Sequence, residues 1–323
     1  MTTATQALSS ATPASLTRSQ RIWRRTQVGG GLATVVGLAL WSTWLPQGPA
    51  IVAVLGFVMS VGCALEAGRM GLLGRSSMAY ALIAAALVPY AVLYGVYSPE
   101  ATLRVPDWGG GGRYIGALLL AAVGTTIVLI VGALPTVVGK RHHTDPSAAR
   151  LLLWSLWVAL PMSGLVPILL FAGPAGLVAL ILLSKLGDVV GYYVGSAIGR
   201  THPFPNISPG KTTAGCVGSL LAGTLAGYFC QRMGLFPEAR MGWASGLLAG
   251  AFVNIASQAG DLLESVAKRR SGVKDSGTTF GPSGGFLDLV DSLLLSIPVA
   301  LLTWPLLFHL PYLAEGLRAL GGN

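Results

Sequence analysis

The chain has 323 residues, of which 53% are hydrophobic and only 10% charged, with a mean hydropathy of +0.67. Ordinary soluble domains hold roughly 45–50% apolar residues, and the long charge-poor runs here exclude a water-soluble globule. The formal charge of +9 gives no argument for nucleic acid, because the cations sit in short connections between apolar runs, as membrane topology alone would place them.

Residues 1–26 read as a disordered basic tail, rich in Ser, Thr and Ala and lacking acids, with Arg18, Arg21, Arg24 and Arg25 just before the first apolar run at about 28–45. A transit peptide has a similar composition. Further runs fall near 51–67, 77–98, 114–138, 151–172, 175–198, 214–231, 242–260 and 286–308. Their lengths suit helices of about 17–25 residues, which cross about 30 Å of hydrocarbon. The expected fold class is therefore all-α: a polytopic integral membrane protein of about nine transmembrane helices. It divides into N-terminal helices over 27–150, a region with a cytoplasm-facing polar site over 151–312, and a short tail over 313–323. Pro46, Pro106, Pro174, Pro203, Pro205 and Pro209 fall in the connections, where helix breakers belong.

With the N-terminus inside, fifteen basic residues face the cytoplasm and five face out. That asymmetry predicts a cytoplasmic N-terminus and a cytoplasmic polar site. Cys63, Cys216 and Cys230 lack the spacing of a disulfide framework or zinc site, and no repeat recurs at a fixed period. The four histidines lack Cys or carboxylate clusters and read as solvated or headgroup-facing. Glu66, at the end of the second run, reads either as a buried polar contact or as an interfacial charge.

The sixth run carries Lys185 and Asp188 three residues apart. A charge at membrane depth costs about 2.5–3.5 kcal/mol on insertion scales, so the two either pair with each other or face a polar cavity. The following ISPGKTTAG, residues 207–215, contains Gly-Lys-Thr but has Pro205 where a P-loop needs Gly, and it follows an apolar helix rather than a strand. Ser208, Lys211 and Thr212 can instead hold phosphate by charge and hydroxyl donors, cap the next helix, or do both.

Residues 260–291 concentrate the remaining chemistry. Asp261, Glu264, Asp275, Asp288 and Asp291 are five of the twelve carboxylates, and Lys268, Arg269, Arg270 and Lys274 accompany them. Asp261, Glu264 or Ser265, and Lys268 share one helical face, and Asp288 and Asp291 stand one turn apart. Carboxylates that hold a divalent metal beside a Gly-rich basic link that holds phosphate describe a site for an anionic substrate.

The pattern Ser265-x-Ala267-Lys268-Arg269-x4-Lys274-Asp275, then Gly281, Gly284-Gly285 and Asp288-x-x-Asp291, resembles the signature of the phosphatidate cytidylyltransferase (CDP-diacylglycerol synthase) family. Ser283 stands where that family usually has His, and Leu289 where it usually has Arg. Asp188 and Tyr192, with Gly191 for the usual Ala, resemble an Asp-x-x-Ala-Tyr block, and residues 207–215 resemble a Ser-Pro-Lys-Lys-Thr-x-x-Gly loop with Gly210 for the first Lys. The resemblance spans about 150–310 and implies transfer of a cytidylyl group from CTP to phosphatidate, in the inner membrane of a bacterium. It implies Mg²⁺ on Asp261 and Asp288, with a second cation left open, and catalytic roles for Asp188, Asp291 and Lys268. Substrate binding falls to Ser208, Lys211, Thr212, Arg269, Lys274 and Asp275. The partners so implied are CTP, a lipid phosphate and the bilayer, with a homodimer left open and no nucleic acid. A cytidylyltransferase for another lipid phosphate, or a weakened homologue with a scaffold role, stands as the alternative. A transporter fits less well, because the polar residues cluster at one end instead of spreading over several spans.

Overall fold

A computed structural model describes residues 18–45, 47–73, 150, 153–281 and 284–309. The described residues are helical, apart from connections and one isolated antiparallel bridge between Ala239 and Phe308. The helices are α1 (Arg18–Ser42), α2 (Gly48–Arg69), α3 (Leu160–Ser163), α4 (Leu165–Ile198), α5 (Thr213–Arg232), α6 (Trp243–Arg270), α7 (Phe286–Val290) and α8 (Leu293–Leu307). A π-helical turn, Ser155–Ala159, leads into α3. The expected spans at 77–98 and 114–138, most of the N-terminal tail and the C-terminal tail lie outside the described residues.

Among the described residues, four stretches are long and apolar enough to cross a membrane: Gly48–Arg69, Ser155–Ile198, Thr213–Arg232 and Phe286–Leu307. The second holds 44 residues, about 66 Å at 1.5 Å per residue and so about twice the hydrocarbon thickness. Its path breaks inside α4 at Gly173, where φ is +73° and ψ 177°, immediately before Pro174. The sequence divides 151–172 from 175–198 at this same point. A ring that blocks the helical hydrogen bond and a residue free to take positive φ act together there.

The run expected as a span at 242–260 is the first part of the 28-residue helix α6, and α6 is not among those four stretches. Its place in the bundle explains the lower apolarity. It packs against α5, α8 and α4, so its polar side chains meet protein, where they find partners that hydrocarbon would not provide. Buried Asn254 donates to Ser219 Oγ on α5 at 3.1 Å and accepts from Gln258 Nε2 at 2.8 Å. Ser257 Oγ donates to the Ser184 carbonyl of α4 at 2.8 Å, and Ser296 Oγ of α8, which donates to the Ser292 carbonyl at 2.7 Å, lies 3.2 Å from the Val253 carbonyl. The apolar core beneath, including Cys63, Leu183, Val253, Leu287, Leu294 and Ile297, joins α2, α4, α6, α7 and α8.

The two ends of α6 differ. Near its start, Arg240 Nε donates to the Phe308 carbonyl at 3.0 Å, and Phe236 stacks on Phe308, fastening the end of α8. At its other end the polar residues from Asp261 to Arg270 meet the 200–212 connection and Asp288 of α7.

Candidate active site

Asp261, Glu264 and Lys268 recur every three or four residues along α6, so one face of the helix presents all three. Asp291, in the turn between α7 and α8, completes an acidic trio: one oxygen each of Asp261, Glu264 and Asp291 lies within 4.8 Å of the others. Three such charges repel strongly, and each has a lysine beside it, drawn from a different element. Lys211, in the loop before α5, approaches Asp261 at 2.6 Å; Lys185 of α4 approaches Asp291 at 3.4 Å; Lys268 pairs with Glu264 at 2.5 Å. Glu264 is fully buried, and its Oε1 has no hydrogen-bond partner.

Lys268 also reaches Asp288 Oδ1 at 2.7 Å, so this one ammonium joins the trio to the second acidic turn. Asp288 Oδ2 accepts from the Ser276 N–H at 2.9 Å, the Ser276 hydroxyl at 2.7 Å and the Gly285 N–H at 2.7 Å. The sequence assigns the metal to Asp261 and Asp288. In the structure Asp261 stands with Glu264 and Asp291, while Asp288 lies beyond Lys268 with both oxygens engaged. Helical spacing puts Glu264 on the right face, but only the tertiary fold brings Asp291 to it.

Beside the trio lies a cavity of about 620 Å³ between α4, α5 and the 200–212 connection. Asp188, Ser208, Lys211, Thr212 and Asp261, all named from sequence, line it, and so do Tyr192 and His202. His202 is exposed at this lining, in keeping with its reading as solvated. Thr212 caps α5: its Oγ1 accepts from the Gly215 N–H at 3.1 Å. The capping alternative holds for Thr212, and its neighbour Lys211 faces the cavity. Arg269 is exposed and donates from Nε to the Ile207 carbonyl at 3.3 Å, tying the phosphate-suited loop to the end of α6. Lys274 and Asp275 are exposed in the following loop. Ser283 lies outside the described residues, and Leu289 is half-buried against the apolar core.

Lys185 does not take Asp188 as its ion-pair partner. It turns to Asp291, 106 residues away, whose side chain is only 14% exposed. The more buried carboxylate has the greater need of a counter-charge, and a lysine stem is long enough to choose.

Glu66, left open by the sequence, is a buried polar contact. It is 1% exposed at the end of α2, accepts hydrogen bonds from Thr279 Oγ1 and the Phe286 and Leu287 N–H groups, and lies 2.8 Å from the Ser276 hydroxyl that it shares with Asp288. A Cβ on Gly285 would collide with both Glu66 carboxylate oxygens, which gives the second glycine of the Gly-Gly pair a steric reason.

The sequence model described as the cytidylyltransferase family matches residues 23–307. A phosphatidate cytidylyltransferase of Pseudomonas aeruginosa is 34% identical over 274 residues, covering 83% of this chain and 92% of that protein. One from Thermotoga maritima is 30% identical over 224 residues, 68% of this chain and 76% of the relative. One from Aquifex aeolicus is 40% identical over 114 residues, and there the match spans only 41% of the relative's length and 35% of this chain. With the profile matched from the first helix to the last described one, the chain belongs to the cytidylyltransferase family.

Proposed function

We propose that this protein transfers the cytidylyl group of CTP to phosphatidate, giving CDP-diacylglycerol and pyrophosphate. The observation that carries the reading is the trio of carboxylates, each beside its own lysine, at the edge of a cavity lined by phosphate-suited side chains. Family membership supplies the reaction class, and the names of the relatives supply the lipid.

In this reaction a phosphate oxygen of the lipid attacks the α-phosphorus of CTP. A new P–O bond forms, the bond between the α- and β-phosphates breaks, and pyrophosphate leaves with the electron pair. The attacking oxygen is already anionic, so no covalent protein nucleophile is required. What remains for the chain is positioning and charge stabilisation. Lys211, Ser208 and Thr212 line the cavity and suit the CTP phosphates. Lys185 and Lys268 stand at the trio's other members, where they can meet charge that develops on the transferred and departing groups. Arg269, tied to the 207–212 loop, and the exposed Lys274 and Asp275 would serve substrate binding.

The donor set suits Mg²⁺: three carboxylate oxygens converge, and the buried Glu264 Oε1 has no protein partner. Asp261, Glu264 and Asp291 would hold the ion, with Asp188 lining the adjoining cavity and Asp288 holding Lys268 beyond the trio, and the ion would supply Lewis-acid neutralisation of phosphate charge. The basic asymmetry supports a cytoplasmic N-terminus and site, the bacterial relatives support an inner-membrane location, and residues 151–312 would form the catalytic region. The lipid's acyl chains would stay in the bilayer.

A second reading rests on Leu289, half-buried against the apolar core where the family commonly places a cation: the lipid phosphate differs from phosphatidate. The purified protein, given labelled CTP, Mg²⁺ and a panel of lipid phosphates, tests both. Phosphatidate should give the fastest label incorporation. Another lipid giving it alone would move the substrate, and no incorporation with any lipid would overturn the activity.

A further inference from the structure

We infer that Glu66 is a positioning residue of the active site, acting from α2 through the Gly-rich loop onto Asp288 and Lys268. Glu66 lies some 200 residues before the motif it serves and carries no part of that motif itself. Its Oε1 accepts from the Phe286 N–H at 2.8 Å and the Thr279 hydroxyl at 3.1 Å; its Oε2 accepts from the Leu287 N–H at 3.0 Å and lies 2.8 Å from the Ser276 hydroxyl. Three donors committed to one buried carboxyl, with the Ser276 hydroxyl shared between it and Asp288, suit a group that only accepts. Buried polar groups of this kind fix one arrangement of the chain, because every alternative leaves donors without partners.

The loop is gripped from two sides. Ser276 Oγ touches Glu66 Oε2 on one side and Asp288 Oδ2 on the other, and Gly285 donates to Asp288 while its Cα lies too close to Glu66 for any side chain. A Cβ at Gly277 would likewise meet Glu66 Oε1. The loop is thus folded around Glu66, and its other wall is the carboxylate whose remaining oxygen holds Lys268 at 2.7 Å. Lys268 in turn reaches Glu264 of the trio. Moving Glu66 would shift the loop, release Asp288 and let Lys268 collapse toward the trio, while Lys211, Ser208 and Thr212 across the cavity stay in place.

The inference about turnover rests on the proposed cytidylyl transfer, so its test has two readouts. Full-length wild type, Glu66→Gln, Glu66→Asp and Glu66→Ala are compared in lipid nanodiscs. Glu66→Gln keeps the shape but turns a donor toward donors. The first readout is hydrogen exchange at the Phe286 and Leu287 amides, which needs no substrate: it should speed up in Gln and Ala, with exchange across α5 unchanged. The second is steady-state kinetics. Glu66→Gln should lower kcat by about 10- to 100-fold, the usual effect of losing a residue behind the reacting groups, while KM for CTP changes by less than about twofold. Glu66→Asp, still an acceptor, should recover part of kcat.

Unchanged exchange at Phe286 and Leu287 in Glu66→Gln would overturn the positioning role whatever the wild-type activity. Faster exchange with unchanged kcat would also overturn it, leaving Glu66 a stabilising contact alone. A wild type without turnover but with the loop loosened in Glu66→Gln would uphold the positioning of Asp288 and reject the proposed reaction instead.

Discussion

Replacing Lys268 by Met keeps the length of the side chain and removes the one ammonium that two acidic groups share. Lys268 Nζ lies 2.7 Å from Asp288 Oδ1 and also contacts the fully buried Glu264; the Lys268 and Asp288 side chains are each 13% exposed. At an effective dielectric of about 20, opposite unit charges at that separation attract by about 6 kcal/mol. Desolvation of the ammonium offsets part of this, and buried pairs broken from one side cost about 3–5 kcal/mol. At about 2 °C per kcal/mol, suited to a large chain, Lys268→Met should unfold about 6–10 °C below wild type in thermal denaturation followed in detergent. Adding Asp288→Asn removes one stranded charge, and the double variant should show a favourable coupling of about 0.5–3 kcal/mol. A Lys268→Met midpoint within about 1 °C of wild type would refute the claim that this lysine neutralises a buried acidic pair.

Asp288→Asn alone should abolish nearly all transfer while the protein still inserts and folds; full turnover at saturating Mg²⁺ would contradict this. Thr212→Ala should cost about 1 kcal/mol of stability through loss of the α5 cap, read as a small fall in the unfolding midpoint together with weaker CTP binding by calorimetry. A cysteine at the exposed Thr278 should escape a membrane-impermeant thiol reagent on intact cells and react after lysis; labelling on intact cells would reverse the orientation. Ser276, in the same loop, is unsuitable for that probe because it is buried against Glu66 and Asp288. Leu289→Arg together with Ser283→His should change rate or lipid preference without being required for activity, and turnover confined to that double variant would mark the native chain as serving another substrate.

Local physics made part of the site legible. Asp261, Glu264 and Lys268 share a face because helical spacing puts them there, and Thr212 followed by an apolar run reads as a cap because only such residues satisfy the free N–H groups at a helix start. The break at Gly173–Pro174 was readable for the same reason. Partner choice was less legible, since it is settled by burial after the helices pack. Lys185 faces a local candidate in Asp188 and goes to Asp291, and Asp288 is held by Lys268 and the loop, away from the trio. Glu66 offers no local pattern for its partners: its donors come from Thr279, Phe286 and Leu287, and a lone acid at the end of an apolar run gives no sign of where they are. The apolar run at 242–260 covers only part of α6, which continues to Arg270 through the face that carries Asp261, Glu264 and Lys268.

The most direct test of cytidylyl transfer at the trio compares CTP labelled at the α-phosphorus with CTP labelled at the γ-phosphorus, using purified wild type and Asp261→Asn with phosphatidate and Mg²⁺. The account predicts α-label in the lipid product, γ-label in pyrophosphate, and loss of both in Asp261→Asn. Appearance of γ-label in the lipid, or wild-type rates in Asp261→Asn, would contradict it.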